Sequence, residues 1–335
     1  MLDRIILYIC KKLRPKLKIL AQPSSHRACG PEGRLNFNVG INMEKQKIGF
    51  IGAGKVGTAL AVRLSKGGYL VAGVADMDMN AAQKLADMAP GCHVFKNSQE
   101  LADSIGHIFI TTPDDFIPKV ASEITWRSGH QVVHCSGASS IDILKSAEDS
   151  GALVGSFHPC QAFASVEKAI ENLPGSTFAI EAQGHLLDVL KDMASSIQCN
   201  WILLGPGNKA LYHAAAVFVS NYVVTLIKTA TDLFKNFNIS TEQATEILMP
   251  LIQGNINNIK NIGIPSCLTG PIARGDISTI GKHISSIREK DPDILSLYGK
   301  LGLKTIPIAL AKGTIDKDGS NKLQILLEGA AKDEQ

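Results

Sequence analysis

The sequence predicts an α/β protein, a mostly parallel β-sheet followed by an all-helical C-terminal region. Three observations carry this. From residue 47 onward, short β-branched runs alternate with stretches of helical periodicity, the pattern of βαβ units. A glycine-rich turn, Gly52-Ala53-Gly54-Lys55-Val56-Gly57, joins the first run to the first helix. Past Gly205-Pro206-Gly207 the strand pattern stops and long helical stretches take over.

Taken in order, the candidate strands are 47–51, 69–75, 93–95, 107–112, 131–135, 153–157, 177–181 and 201–204, spaced widely enough for crossover helices. Helices are expected over 207–235 and 241–261, with further helical pieces after Gly281. A boundary near 205 therefore separates a sheet domain, 43–205, from a helical domain, 206–335.

Residues 1–42 stand apart. They hold eight Lys or Arg against two carboxylates, a formal +6 in a chain of net charge +3, so residues 43–335 are left slightly acidic at −3. The folded part has no basic footprint for nucleic acid. Met43 opens Met-Glu-Lys-Gln-Lys-Ile-Gly-Phe-Ile-Gly, an abrupt entry into a first strand, and reads as a start; 1–42 then reads as a basic, disordered extension. A basic arm for a membrane surface or nucleic acid is the alternative.

The seven cysteines are scattered, without C-x-x-C or zinc-ligand spacing, which fits a reduced, cytoplasmic protein. The histidines form no ligand constellation with neighbouring acids, and no metal is expected. The apolar stretch 214–227 is broken by Ser220, Asn221 and Thr225, which suits a buried helix better than lipid, so no membrane span is expected.

The glycine turn has the context that a G-x-G-x-x-G motif requires, a strand before it and a helix after it. Gly52 permits the tight turn, Gly54 lets backbone approach a pyrophosphate, and Gly57 lets the helix pack on the strand; Ala53, Lys55 and Val56 complete a loop whose helix N-terminus faces negative charge. Nineteen residues past Gly57, at the end of the second strand, Asp76 is placed to hydrogen-bond an adenosine ribose. Asp78 is close by and no Arg occurs between Ala72 and Asn80, so NAD is favoured over NADP. A solvated turn acid is the plainer reading of Asp76. Thr111, Thr112 and Pro113 end the fourth strand, where such sheets bind ligands, and would line the ribose and pyrophosphate. Ser136 and Gly137 end the fifth and could meet nicotinamide or substrate, although turn chemistry alone explains Ser136 equally well.

Together with the glycine turn, Thr112-Pro-Asp-Asp115, His134-Cys-Ser-Gly137, Ser156-Phe-His-Pro159, Lys209-Ala-Leu-Tyr-His213, Ser220-Asn221 and Leu268-Thr-Gly-Pro-Ile-Ala-Arg-Gly-Asp276 carry a resemblance. From 47 to about 310 the chain resembles a family of Rossmann-like oxidoreductases with a poorly characterised helical C-terminal domain. That family is similar to ketopantoate reductase, pyrroline-5-carboxylate reductase and 6-phosphogluconate dehydrogenase. The resemblance implies NAD(P)H-dependent reduction of a small carbonyl or imine, a helical domain that closes the site, and a homodimer. Ketopantoate, a 2-oxo acid, is the sharpest substrate it implies; an imine reductase of the pyrroline-5-carboxylate type, or a dinucleotide-binding protein without catalysis, are the alternatives. Related proteins often carry a helical Lys with an Asn four residues later, whereas the residue four after Lys209 is His213.

The helix beginning near Asn208 gives an independent reading. With Lys209 at 0°, His213 falls at about 40°, Ser220 at about 20° and Asn221 at about 120°. Lys209, His213 and Ser220 form a polar stripe on an apolar helix, and polar groups buried without partners are costly. Lys209 or His213 would protonate a developing alkoxide while Asn221 orients substrate; a satisfied core histidine and a solvated lysine are the plainer readings. His158, in a turn after the sixth strand, is a candidate to touch substrate or to shape that turn. Arg274, with Asp276 nearby, could clamp a substrate carboxylate or form a salt bridge between domains or subunits. His283 shares the face of Asp276 and is read as structural.

Overall fold

The computed structural model describes residues 47–333, all within one compact unit, Lys45–Gln335. The basic segment 1–42, and with it the reading of Met43 as a start, lies outside the described residues.

Eight strands form one sheet: β1 (Lys47–Ile51), β2 (Leu70–Ala75), β3 (His93–Val94), β4 (His107–Ile110), β5 (Gln131–His134), β6 (Leu153–Pro159), β7 (Thr177–Glu181) and β8 (Asn200–Leu203). Their order is 3-2-1-4-5-6-7-8. Every predicted strand is present, with no end moved by more than two residues. The continuous apolar runs of β1, β4 and β5 are buried on both faces, as parallel strands covered by helices must be. A line of phenylalanines crosses the core, with Phe50 stacked on Phe109 at 5.3 Å and Phe157 on Phe178 at 3.9 Å.

Two details differ from expectation and both shape the site. β6 runs on to Pro159, so His158 is a strand residue rather than part of a following turn. β7 is antiparallel to β6, and β8 is parallel to β7. Register fixes where these reversed strands stop. His134 pairs with Ser156 and Ser156 with Glu181, while Phe157 pairs with Ile180 and Ile180 with Leu203. The ends of β7 and β8 therefore sit level with the end of β5, and the chain leaves the sheet at the rim that carries the ligand loops.

The sheet is flanked by α1 (Lys55–Lys66), α2 (Met79–Met88), α3 (Ser98–Ser104), α4 (Ile117–Glu123), α5 (Lys145–Asp149), α6 (Val166–Asn172) and α7 (Gly184–Ser196). Six helices follow: α8 (Lys209–Val219), α9 (Asn221–Phe234), α10 (Thr241–Ile262), α11 (Ile277–Lys290), α12 (Leu295–Lys312) and α13 (Lys317–Lys332). Gly281 lies inside α11 rather than before it. The last three helices share a core of Ile280, Ile284, Leu295, Ile306, Leu323 and Leu327.

The expectation that 214–227 is buried is corrected. Leu211, Phe218, Val219 and Val224 are exposed along α8 and α9, as are Leu251 and Ile262 on α10. These apolar side chains find too few neighbours within one described chain to be covered. Lys209–Phe237 and Pro292–Lys312 are each long and apolar enough to cross a membrane by length and composition.

Candidate active site at the rim of the sheet

The glycine turn is built as its spacing requires. Gly52 has φ +105°, and a Cβ there would stand 2.8 Å from the Thr111 carbonyl carbon and the Thr112 nitrogen. A Cβ on Gly57 would strike the Gly52 carbonyl oxygen and come within 2.5 Å of Thr111 Oγ1. Thr111 Oγ1 donates to the Gly52 oxygen at 2.7 Å, locking loop to strand. Gly54 is different, because a Cβ there would meet nothing within 4 Å. Gly54 caps α1 without a side-chain hydrogen bond, so the amides of the first turn, on Lys55, Val56 and Gly57, are left for an external acceptor.

Thr112 Oγ1 is buried without a partner beside this turn, and Pro113 starts the short turn that carries Asp114. Open space over Gly54, an uncapped helix end and an orphaned hydroxyl fit a dinucleotide pyrophosphate. Asp76 reaches back to the loop: Oδ2 accepts from the Ala53 amide at 2.6 Å and Oδ1 from the Asp78 amide at 2.8 Å. Asp78 itself caps α2 by accepting from Asn80 and Ala81.

Beyond β5 the loop residue Ser136 is a junction. Its hydroxyl donates to Asp114 Oδ2 at 2.6 Å, its amide donates to His134 Nδ1 at 3.1 Å, and its carbonyl accepts from Lys209 Nζ at 2.7 Å. Lys209 is only 2% exposed, a lysine inside the protein. Burial lowers its pKa to about 8, while Cys135, Glu181 and Asp114 pull the other way. The ammonium form therefore still dominates at pH 7.

One turn along α8, His213 meets the same loop. A Cβ on Gly137 would lie 2.5 Å from His213 Cδ2 and 2.7 Å from His158 Nε2, so the missing side chain is what admits both rings. The two imidazoles stand edge to face at 5.9 Å. His158 Nδ1 shares a 2.9 Å hydrogen bond with the Tyr212 hydroxyl. Burial, then the charge of Lys209 and His213, pushes His158 down to about 3, so it is a neutral ring at physiological pH. Burial raises the Tyr212 phenol above its ordinary value, aided by Cys160.

Lys209, His213, His158 and Ser136 are thus brought together. Ser220 and Asn221 are not. Ser220 shares the azimuth of Lys209 but lies eleven residues on, about 16 Å along the axis; its hydroxyl donates to the Ala216 carbonyl at 2.8 Å and to Asn221 Oδ1 at 2.9 Å, where α8 gives way to α9. Asn221 is exposed. Arg274 is exposed on a short turn, and Asp276 caps α11 by accepting from the Thr279 amide and hydroxyl, which holds its carboxyl below the usual range. His283 bonds Tyr298 at 2.8 Å beside an apolar cavity of about 600 Å³ in the helical region. No cluster of three or more His, Cys, Asp or Glu able to hold a metal ion occurs among the described residues.

Sequence reasoning gave no role to Asp114, Tyr212, Ser156 or Glu181, and none to His134 outside its motif. The available signal was positional: each of His134, Ser156 and Glu181 is a polar residue in or ending an apolar strand, in Gln-Val-Val-His, Leu-Val-Gly-Ser-Phe-His-Pro and Thr-Phe-Ala-Ile-Glu.

Comparison with known proteins agrees with this architecture. Residues 33–159 match the model of a Rossmann-like domain, and 176–305 match that of a domain of unknown function, DUF2520. The two matches follow one another along the chain, the first taking in β1–β6. The DUF2520 match begins at β7, so it takes in the reversed strands as well as the helices. No curated protein matches the sequence.

Among solved structures, the fold is shared with a protein of Bacteroides fragilis described as an NADP oxidoreductase, at 23% identity and TM-score 0.62 over 78% of this chain and 98% of that one. It is shared with a reductive aminase of Aspergillus terreus solved with NADPH, at 14% identity and TM-score 0.57 over 84% and 99%. A 1-pyrroline-5-carboxylate reductase of Streptococcus pyogenes aligns at 14% identity and TM-score 0.52 over 86% and 98%.

Proposed function

We propose that this protein is a nicotinamide-dinucleotide-dependent oxidoreductase that reduces a small carbonyl substrate, a 2-oxo acid such as ketopantoate, to the 2-hydroxy acid. The observation that carries this is the buried Lys209 ammonium beside Ser136, at the same rim as the glycine turn. A reduced nicotinamide dinucleotide held by the amides of 55–57 and by Thr112 would supply hydride. Lys209 holds a proton at Nζ that a developing alkoxide can take, and a fixed cation in a desolvated site favours negative charge at the reacting oxygen. His158, a neutral ring, and His213 offer hydrogen bonds beside Gly137 and orient the substrate.

The carboxylates of Asp76 and Asp78, with no Arg between Ala72 and Asn80, support NADH over NADPH. Imine reduction is the second reading, favoured by the likeness in fold to a reductive aminase and a pyrroline-5-carboxylate reductase. An iminium substrate already carries its proton and would gain nothing from a buried ammonium. Binding of dinucleotide without turnover is the third.

The exposed apolar residues of α8–α10 support a homodimer in which a second copy covers them; the polar breaks at Ser220, Asn221 and Thr225 speak against lipid there. The deciding experiment is absorbance loss from NADH and NADPH with ketopantoate, run beside 1-pyrroline-5-carboxylate. Turnover with ketopantoate establishes the 2-oxo acid reductase, turnover with the imine alone establishes the second reading, and cofactor binding without turnover on a panel of 2-oxo acids and imines establishes the third.

A further inference from the structure

His158 lies where β6 outruns its neighbour. Ser156 pairs with His134, the last residue of β5, so two residues further along β6 no residue of β5 stands beside His158. On its other edge His158 pairs with Ala179 of β7. The place that β5 vacates is taken by Gly137, where a Cβ would stand 2.7 Å from His158 Nε2 and 3.0 Å from Cε1. One ring nitrogen therefore faces the gap left by a missing side chain, at the rim that also holds Lys209.

The other nitrogen, Nδ1, is held by α8. Lys209, Tyr212 and His213 fall within one helical turn, at 0°, about 300° and about 40°. Each goes to a different part of the rim: Lys209 to the Ser136 carbonyl, Tyr212 to His158 Nδ1 at 2.9 Å, and His213 to Gly137. The Tyr212 and His158 rings meet edge to face at 5.6 Å and 82°, and His213 meets His158 in the same way at 5.9 Å and 80°. His158 is thus held between two rings from a single turn of helix.

Elementary chemistry places the proton on this ring. His158 is neutral, so it has one N–H and one lone pair. Of a phenol and a neutral imidazole, the phenol is the stronger acid and the imidazole nitrogen the stronger base. The Tyr212 O–H therefore donates to Nδ1. Cys160 also acts on the phenol, but sulfur is a weak acceptor, and its S–H can donate to the phenol oxygen instead. With the lone pair of Nδ1 taken, the ring proton sits on Nε2, the nitrogen that faces Gly137. Only a molecule with an acceptor satisfies that donor: the oxygens of a 2-oxo acid do so, whereas an iminium nitrogen carries no lone pair.

We propose that Tyr212 is a positioning residue: it fixes His158 as the Nε2–H tautomer and aims that N–H across Gly137 at an acceptor oxygen of the substrate. This deepens, and rests on, the reading of His158 as a substrate-orienting residue of a carbonyl reductase.

The test is a multiple-bond ¹H–¹⁵N correlation on the full chain labelled with ¹⁵N-histidine, with His158 assigned by His158→Gln. In the wild type Nδ1 should resonate as an unprotonated nitrogen and Nε2 as a protonated one; the reverse pattern, or a ring exchanging between the two, overturns the assignment. Tyr212→Phe keeps the shape of the ring and removes the donor, so the Nδ1 signal should move towards that of a nitrogen without a hydrogen bond. An unmoved signal overturns the role of Tyr212. Neither spectrum needs a substrate, and the wild-type pattern depends on no variant folding. With ketopantoate, Tyr212→Phe should lower kcat/KM by about tenfold and add nothing further in the His158→Gln background; an undiminished loss in that background overturns the coupling of the pair. Failure of the wild type to turn over a panel of 2-oxo acids would refute the carbonyl-reductase reading while leaving the tautomer standing.

Discussion

Lys209 Nζ and the carbonyl of Ser136 are 2.7 Å apart across 73 residues of sequence, and this single contact ties the first turn of α8 to the loop that ends β5. An ammonium that is both buried and committed to a carbonyl has a defined position and a weakened hold on its proton.

Lys209→Ala is therefore expected to lower kcat/KM for a carbonyl substrate by about 10²–10⁴-fold with cofactor affinity kept. The wild-type rate should fall as pH rises through about 8, where Nζ loses its proton. A profile flat to pH 10 would contradict a lysine donor.

The same shift has a stability counterpart. The folded pKa of Lys209, about 8, lies below the ordinary 10.5, so between these values the unfolded chain binds more protons. Stability contributed by this group thus rises with pH across that window. Relative to Lys209→Met, the wild type should gain up to about 3 kcal/mol between pH 8 and 10.5, measured by urea unfolding at each pH.

Gly54 and Gly57 separate binding from folding. Gly57→Ala drives a methyl into the Gly52 carbonyl and Thr111, and should cost about 1–3 kcal/mol of stability. Gly54→Ala meets no atom within 4 Å, so it should leave the melting temperature alone while weakening dinucleotide binding in calorimetry.

Gly137→Ala would place its methyl 2.5 Å from His213 and 2.7 Å from His158. Turnover should drop by about 10²-fold or more because substrate-facing rings are displaced, with cofactor titrations unchanged.

Leu211→Glu combined with Val224→Glu sets charge on the exposed face of α8 and α9. Light scattering should then show a monomer where the wild type is a dimer. A wild type that partitions into vesicles instead would point to a membrane surface.

How much of this could be read in the sequence depends on the kind of information involved. β1, β4 and β5 were legible because parallel strands buried on both faces are written as largely apolar runs, and the glycine turn because its φ and close approaches admit no side chain. The azimuths of Lys209 and His213 were legible too, since 100° per residue fixes them. Azimuth alone does not make a site: the rise of 1.5 Å per residue carries Ser220 about 16 Å beyond Lys209, so the two share a stripe and not a site. The direction of β7 was illegible: a short buried run, Thr-Phe-Ala-Ile-Glu, is the same pattern read either way. So was the burial of 214–227, because an apolar face says that it needs covering and not by whom. His134, Ser156 and Glu181 are far apart in sequence, 22 and 25 residues, and only strand register makes them neighbours.

The chain has only residues 204–208 between Leu203 and Lys209, and within them Pro206 is followed by Gly207 at φ +79°. The first side chain of the helix beyond this short joint is Lys209, so the five residues that leave β8 set where the ammonium stands against the Ser136 carbonyl.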